Sequence, residues 1–280
     1  MQEYTVQTLL STPIVSLRDV ACRGTCRHRS GQECAQATHL VFPYRGLYVR
    51  HVGDEDAVAE ANQVLFFNAA EEYRISHPLA GGDASVSLAI SEPLLHELMP
   101  KELARAGATA RFHKQRQRID PRAQALVALL RHSLRHDVAE VLEAETLSLT
   151  LARRALGPRT PHESAASHGR HRLVDRMKLT LASDLSRRWT LADIAAEVGG
   201  SPVYLTQAFQ QVEGIPLYRY QLHLRLARAL DLLDQYDDLS ALGQHLGFSS
   251  HSHFSSAFRQ AYQRTPSQFK QSALHRQDDR

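Results

Sequence analysis

Two periodicities divide this chain. Between residues 39 and 90 the apolar positions alternate or run in short blocks, in His39–Gly53, Asn62–Asn68 and Ala84–Ile90, with Gly, Asp and Asn between them. β-branched and aromatic residues at period two predict strands, and several strands within about 110 residues predict a small antiparallel barrel or sandwich. From Asp120 onward the spacing changes to three and four. Asp120-Pro121 is a cap-and-start pair, Leu126, Leu129, Leu130 and Leu134 follow at helical spacing, and His136-Asp137 interrupts them. A second helical segment carries Val138, Val141, Leu142, Leu147, Leu149 and Leu151. These helices are expected to pack on the barrel or to form a dimer interface. The stretch Gly157–Gly169 is rich in turn formers and poor in hydrophobes, which predicts a linker.

Beyond the linker the helical pattern occurs twice. Leu191, Ile194, Val198, Gly199 and Ser201 are answered 48 residues later by Leu239, Leu242, Leu246, Gly247 and Ser249. After one inserted residue Leu205, Phe209 and Tyr220 match Phe254, Phe258 and Phe269. Self-similarity at a fixed offset marks duplicated supersecondary units. In the first copy Thr190 caps a helix that Gly199-Gly200 stops, and Ser201-Pro202 starts another as a cap followed by proline at the first helical position. In the second, Leu239 or Ser240 opens a helix, Gly247-Phe248 makes the turn, and Ser249 or Ser250 caps a helix burying Phe254 and Phe258. Each copy therefore reads as a helix-turn-helix. Pro216 to Leu233 reads as a long connecting helix of roughly 25 Å, suited to holding two recognition helices about one DNA turn, roughly 34 Å, apart.

The run Leu246–Arg259, followed by Thr265-Pro266-Ser267-Gln268-Phe269, closely resembles the AraC-type transcription regulators. The resemblance extends from near residue 173 to residue 272. It departs at Gln263, where the family usually has glycine, so the turn closing the second unit is expected to be strained or reshaped. The base-reading positions it implies are Val203, Thr206, Gln207 and Gln210 in the first unit, and His251, Ser252, Ser255 and Ser256 in the second. Gln207 and Gln210 can pair with adenine, and Val203 or the Thr206 methyl can touch a thymine methyl, whereas serines reach little. The first unit is thus expected to carry most base specificity.

Charge supports this modestly. From His168 onward there are 14 Lys and Arg against 11 Asp and Glu, whereas residues 1–167 hold 19 of each. The phosphate candidates are Arg187, Arg188, Arg219, Arg259 and Lys270, with Arg225 expected to be structural.

The resemblance implies a cupin-like effector domain in front, with residues 64–83 as one of its turn-and-strand segments. The fold expected is α+β: residues 1–156 a cupin-like barrel with its helices, 157–170 a linker, and 171–280 an all-α DNA-binding domain. Catalytic cupins hold a metal on an HxH pair. The strand Tyr48-Val49-Arg50-His51 has none, which disfavours the alternative of a cupin metalloenzyme with a DNA-binding tail. A binding pocket is the preferred reading, with Tyr44, Arg45, Tyr48, Tyr73 and Arg74 as candidate lining groups. Three cysteines cluster as Cys22, Cys26 and Cys34, near His28 and His39. They are candidates for zinc or another thiophilic metal, or for redox sensing, although their spacing matches no standard zinc pattern. The competing reading is three small buried hydrophobes on strands.

No apolar run approaches the 18 residues a membrane helix requires, and no charged-then-apolar leader opens the sequence. The expectation is a cytoplasmic homodimeric regulator, not an enzyme, that binds double-stranded promoter DNA, answers an unknown small effector, metal or redox signal, and engages RNA polymerase if it activates.

Overall fold

A computed structural model describes residues 4–105, 107, 109–157 and 166–274. Among the described residues the front half holds ten strands: β1 Tyr4–Ser11, β2 Val15–Cys22, β3 Glu33–Cys34, β4 His39–Gly46, β5 Tyr48–Val52, β6 Glu55–Ala59, β7 Gln63–Phe67, β8 Glu72–Ser76, β9 Asp83–Ile90 and β10 Arg116–Arg118. They form two antiparallel sheets, of order β1-β2-β9-β4-β7-β10 and β3-β8-β5-β6. Helices α1 Glu92–Leu98, α2 Pro121–Arg135 and α3 Val141–Leu156 complete this half.

Period two decides what each strand buries. Leu40, Phe42 and Tyr44 of β4, Val64 and Phe66 of β7, and Val86, Leu88 and Ile90 of β9 face a core shared with α2 and α3. The intervening Val41, Leu65 and Phe67 face the other sheet with Tyr48, Ala59 and Ala35. Arg50, fully buried, fills the space between the sheets. Its Nη1 donates to Phe66 O at 2.8 Å, its guanidinium pairs with Glu71, and it lies 3.8 Å from the Phe67 ring centroid. The expected barrel or sandwich is thus present as two sheets. Strands β1 and β2 precede the stretch whose alternation announced it.

The helices fall as their spacing predicts. Asp120 caps α2 by accepting from Ala123 N, and His136 ends it, with Asp137 at φ +52° making the break before α3. Asp137 is among the residue types that tolerate this region. Ala123, Val127 and Leu130 of α2 enter the core of the β region, while Ala128 joins a second core made by the C-terminal half. Helix α2 is therefore shared between the two halves.

Among the described residues the C-terminal half is all helical: α4 His168–Ser183, α5 Leu191–Val198, α6 Pro202–Glu213, α7 Leu217–Leu232, α8 Leu239–His245, α9 His251–Tyr262 and α10 Pro266–Leu274. Most of the expected linker, residues 158–165, lies outside the described residues, and α4 begins inside its expected end.

Candidate nucleic-acid interface

Helices α5 and α6 form the first helix-turn-helix. Thr190 and Asp193 make a reciprocal capping box, Gly199 stops α5 at φ +77°, and the Ser201 hydroxyl accepts from Tyr204 N at 3.2 Å to start α6. Helices α8 and α9 repeat the unit. Leu239 opens α8, as expected, with Asp238 as its cap, and Ser250 caps α9 by accepting from His253 N at 3.1 Å. Leu205 and Phe209 are buried in the first unit, and Phe254 and Phe258 in the second.

Burying those positions turns the intervening ones outward. Val203, Thr206, Gln207 and Gln210 are exposed on α6, as are His251, Ser252 and Ser256 on α9, with Ser255 half-buried. The Thr206 hydroxyl donates back to Pro202 O at 2.9 Å, which leaves its methyl as the outward group. Sequence reasoning passed over Tyr204, exposed at 42% on α6 beside Val203. A tyrosine that open, next to a recognition face, is itself a signal.

The basic residues divide. Arg188, Arg219 and Arg259 are exposed. Arg187 is exposed as well, but pairs with Asp193 at 3.1 Å and stacks 4.0 Å from the Trp189 ring centroid. Lys270 donates its ammonium to Tyr236 O at 2.9 Å, which makes it a brace of the second unit. Arg225 is structural, as expected. Its guanidinium donates to Leu185 O at 2.6 Å, Arg187 O at 2.8 Å, Ser186 O at 3.3 Å and Gly247 O at 3.4 Å. One side chain on α7 thus ties the loop entering the first unit to the turn of the second. Gly247 sits in the same joint, where a Cβ would lie 2.1 Å from Ser186 O.

A tandem pair of helix-turn-helix units, each with its hydrophobic face buried and a polar second helix outward, defines a DNA-binding domain. Residues 194–272 match the family described as a helix-turn-helix domain, and the C-terminal region of the chain is similar to transcription regulators that carry it. The chain is 34% identical over 116 residues to the regulatory protein PocR of Salmonella typhimurium, covering 41% of this chain and 35% of that protein. It is 32% identical over 135 residues to the transcriptional activator RhaR of Klebsiella pneumoniae, covering 48% and 46%. The crystal structure of an AraC-type regulator from Chromobacterium violaceum shares 31% identity over 40% of this chain and all of that one, with a TM-score of 0.36. The chain thus spans less than half the length of these curated relatives, which are regulators and not enzymes.

The front half meets this domain through a buried polar seam. The turn Glu60-Ala61-Asn62 between β6 and β7 inserts against α7, where the Tyr220 hydroxyl donates to Glu60 and Asn62 Nδ2 donates to Tyr220 O at 3.3 Å. Burial raises the Glu60 carboxyl above its ordinary range. Gln63 donates to Glu213 at 3.2 Å, Lys178 pairs with Glu213 at 2.6 Å, and Arg116 with Asp175 at 2.8 Å. Burial alone would raise Glu213, but Lys178 and Arg116 outweigh it and hold the carboxylate low. A second knot surrounds Asp231 of α7, met by Arg45 at 2.8 Å, Arg131 at 3.0 Å and Arg228. Beside the first knot opens a cleft of about 1160 Å³, whose lining includes His113, Arg116, Arg118, His171, Arg172 and Asp175.

The five expected effector groups do not converge. Tyr44 donates to the buried Asp19 at 2.7 Å and Arg45 is bound to Asp231. Tyr48 is buried beside His77, with ring centroids 6.4 Å apart, while Tyr73 donates to Glu33 and Arg74 to Ser30 O at the outer sheet. Alternation along two sheets sends them to different faces.

The cysteines do not converge either. Among the described residues, no three of Cys22, Cys26, Cys34, His28 and His39 have their ligand atoms within 4.8 Å of one another. Cys34 is exposed on β3, and the His39 ring stacks on Phe67 at 5.0 Å. The Cys22 thiol lies instead with His77 and Asp83, because register pairs Cys22 with Asp83 across β2 and β9.

Proposed function

We propose that this chain is a sequence-specific transcription regulator whose strand-rich half senses a signal and governs how the two helix-turn-helix units meet promoter DNA. What chiefly supports the reading is the duplicated unit with outward-facing polar second helices. The seam supports the coupling, since the turn Glu60–Asn62 and helix α2 both touch the DNA-binding half. A signal acts only through differential affinity for DNA-competent and incompetent arrangements, and the cleft beside Arg116 and Asp175 lies where such a difference can arise. The regulator is expected to act in the cytoplasm as a homodimer, with RNA polymerase as partner if it activates. Among the described residues no helix is long and apolar enough to cross a membrane.

The test is selection of a preferred duplex from random DNA, followed by binding of two variants. Gln207→Ala should reduce the preference for selected over random DNA about tenfold, the worth of a bidentate base contact. Ser256→Ala should change it less than about threefold, since a short hydroxyl gives little readout. Equal losses would sink the division of labour, and no enrichment of any sequence would sink the reading itself.

A further inference from the structure

The end of α2 and the end of α7 bring together a ligand set that DNA binding does not use. His132 lies in the last turn of α2, and His136 is its C-cap one turn on, with its N–H donating to His132 O. Asp234 follows α7 directly. One ligand atom from each of the three lies within 4.8 Å of the others.

His132 is prepared in a specific way. Its side chain is 2% exposed, and Nε2 lies 2.9 Å from Leu230 O, which accepts, and 2.9 Å from Arg131 Nη2, which donates. With Nε2 held between an acceptor and a donor, Nδ1 is the ring nitrogen left to face a ligand. That Nδ1 is buried without a hydrogen-bond partner and is aimed at Asp234, with Oδ2 3.7 Å away. This is too long for a hydrogen bond and close to the separation, about 3.3 Å, of two donors on a tetrahedral ion bonded at roughly 2.0–2.1 Å. A backbone carbonyl beside the far nitrogen is a common outer partner of a metal-bound imidazole. Arg131 is the cation against His132, and it is already paired with Asp231 at 3.0 Å.

We infer that His132, His136 and Asp234 form a binding site for a zinc-class divalent transition metal, which clamps α2 of the front half to the end of α7. Two imidazoles and a carboxylate suit zinc, cobalt or nickel, with water completing the shell. Asp234 lies only four residues before Asp238, the cap of α8. A metal here therefore fixes the joint from which the second helix-turn-helix departs. This consequence for DNA rests on the proposed function, whereas the site itself does not.

The experiment uses the full chain carrying Cys22→Ser, which removes the thiol of the Cys22, His77 and Asp83 cluster, with Co²⁺ as spectroscopic probe and Zn²⁺ as competitor. His136 and Asp234 are exposed, so His136→Ala and Asp234→Asn should fold as the parent does, checked by their metal-free melting temperatures. The expected result is one Co²⁺ per chain, displaced by Zn²⁺ and weakened at least about tenfold by either variant. Zn²⁺ should raise the melting temperature of the parent but not of the variants. Equal binding by all three proteins, or no binding at micromolar metal, overturns the site. Affinity for the selected duplex should respond to Zn²⁺ in the parent and not in His136→Ala. Metal bound here with no effect on that affinity overturns the clamp. A protein that takes metal at these residues yet binds no DNA overturns the proposed function and leaves the site standing.

Discussion

The two helix-turn-helix units share a backbone and differ in what holds them. Helices α6 and α9 each run twelve residues, begin on a serine cap and end on a residue in the left-handed region, Gly214 at φ +70° and Gln263 at φ +62°. The first unit packs on α4 in a core of Val174, Met177, Leu181, Ile194, Leu205 and Phe209, and meets the front half through ions: Lys178, Glu213, Arg116 and Asp175. The second packs as a stack of aromatics, Phe248, Phe254, Phe258, Tyr262 and Phe269, into which α2 inserts Ala128, with the Tyr262 hydroxyl donating to Gln124 at 3.2 Å. Duplication thus fixed the local geometry and left the attachment free to diverge. Polar contacts lose their value when one partner goes, whereas apolar contacts degrade gradually, so the two units should fail differently.

The largest expected effect comes from the ionic attachment. Lys178 is fully buried against a Glu213 that is 5% exposed, so Lys178→Met strands a carboxylate and should cost about 3–5 kcal/mol in urea unfolding. Adding Glu213→Gln should recover most of that loss. Amide exchange in α6 should accelerate well before exchange in α9. A uniform acceleration in both would show that the units are not held independently.

The paired turn glycines compare the units directly. At Gly247 an alanine Cβ would strike Ser186 O at 2.1 Å, on top of a φ of +79°, whereas at Gly199, φ +77°, it would meet nothing within 4 Å. Gly199→Ala should therefore cost about 1 kcal/mol, and Gly247→Ala about 2 kcal/mol or more. Gly247→Ala should also loosen the Arg225 joint and weaken DNA binding beyond its effect on stability. Equal costs in thermal unfolding would mean that the joint between the units yields easily.

Acid should act at the seam. His223 on α7 is held down to about 4 by burial first, then by Arg118 and Arg219, with Asp120 opposing. Because its folded value lies below the unfolded one, its contribution is complete above about pH 6.5 and fades as pH falls toward 4. Allowing for its partial exposure, the loss from pH 7 to pH 5 should be about 1 kcal/mol, and His223→Gln should flatten that limb of the pH–stability profile. A variant with an unchanged acid limb would place the sensitivity elsewhere.

What was legible in the sequence follows the reach of each interaction. Caps, stop glycines and helical spacing are local, and they announced α2, α5, α6, α7 and α9 to within a residue or two, as well as the role of Arg225. Strand β1 escaped notice because it is an exposed edge strand with no buried stripe until Leu10, and β2 because its buried stripe of Val15, Leu17 and Asp19 places a carboxylate at an inward position. The seam was illegible for a different reason. Glu60 and Asn62 read as turn polars, and only their contact with Tyr220, 160 and 158 residues away, turns them into buried groups. The same holds for His132, whose partners on α7 lie about a hundred residues along the chain. Grouping Cys22 with Cys26 and Cys34 followed sequence proximity, whereas strand register carried its side chain to His77 and Asp83 instead.

The smallest effect tests the one position where the repeat broke its own rule. Gln263 occupies the left-handed conformation that Gly214 occupies 49 residues earlier, and its N–H still donates to Arg259 O at 2.8 Å. The turn therefore keeps its shape and carries strain, which for a side-chain-bearing residue there amounts to roughly 1 kcal/mol. Relief is partly offset by the greater freedom glycine gives the unfolded chain. Gln263→Gly should accordingly stabilise the protein by about 0.5 kcal/mol in thermal unfolding without moving DNA affinity. A loss of stability would mean that the Gln263 side chain, which donates to Gln260 O at 3.1 Å, compensates for its backbone, and that the second unit closes by a device the first does not have.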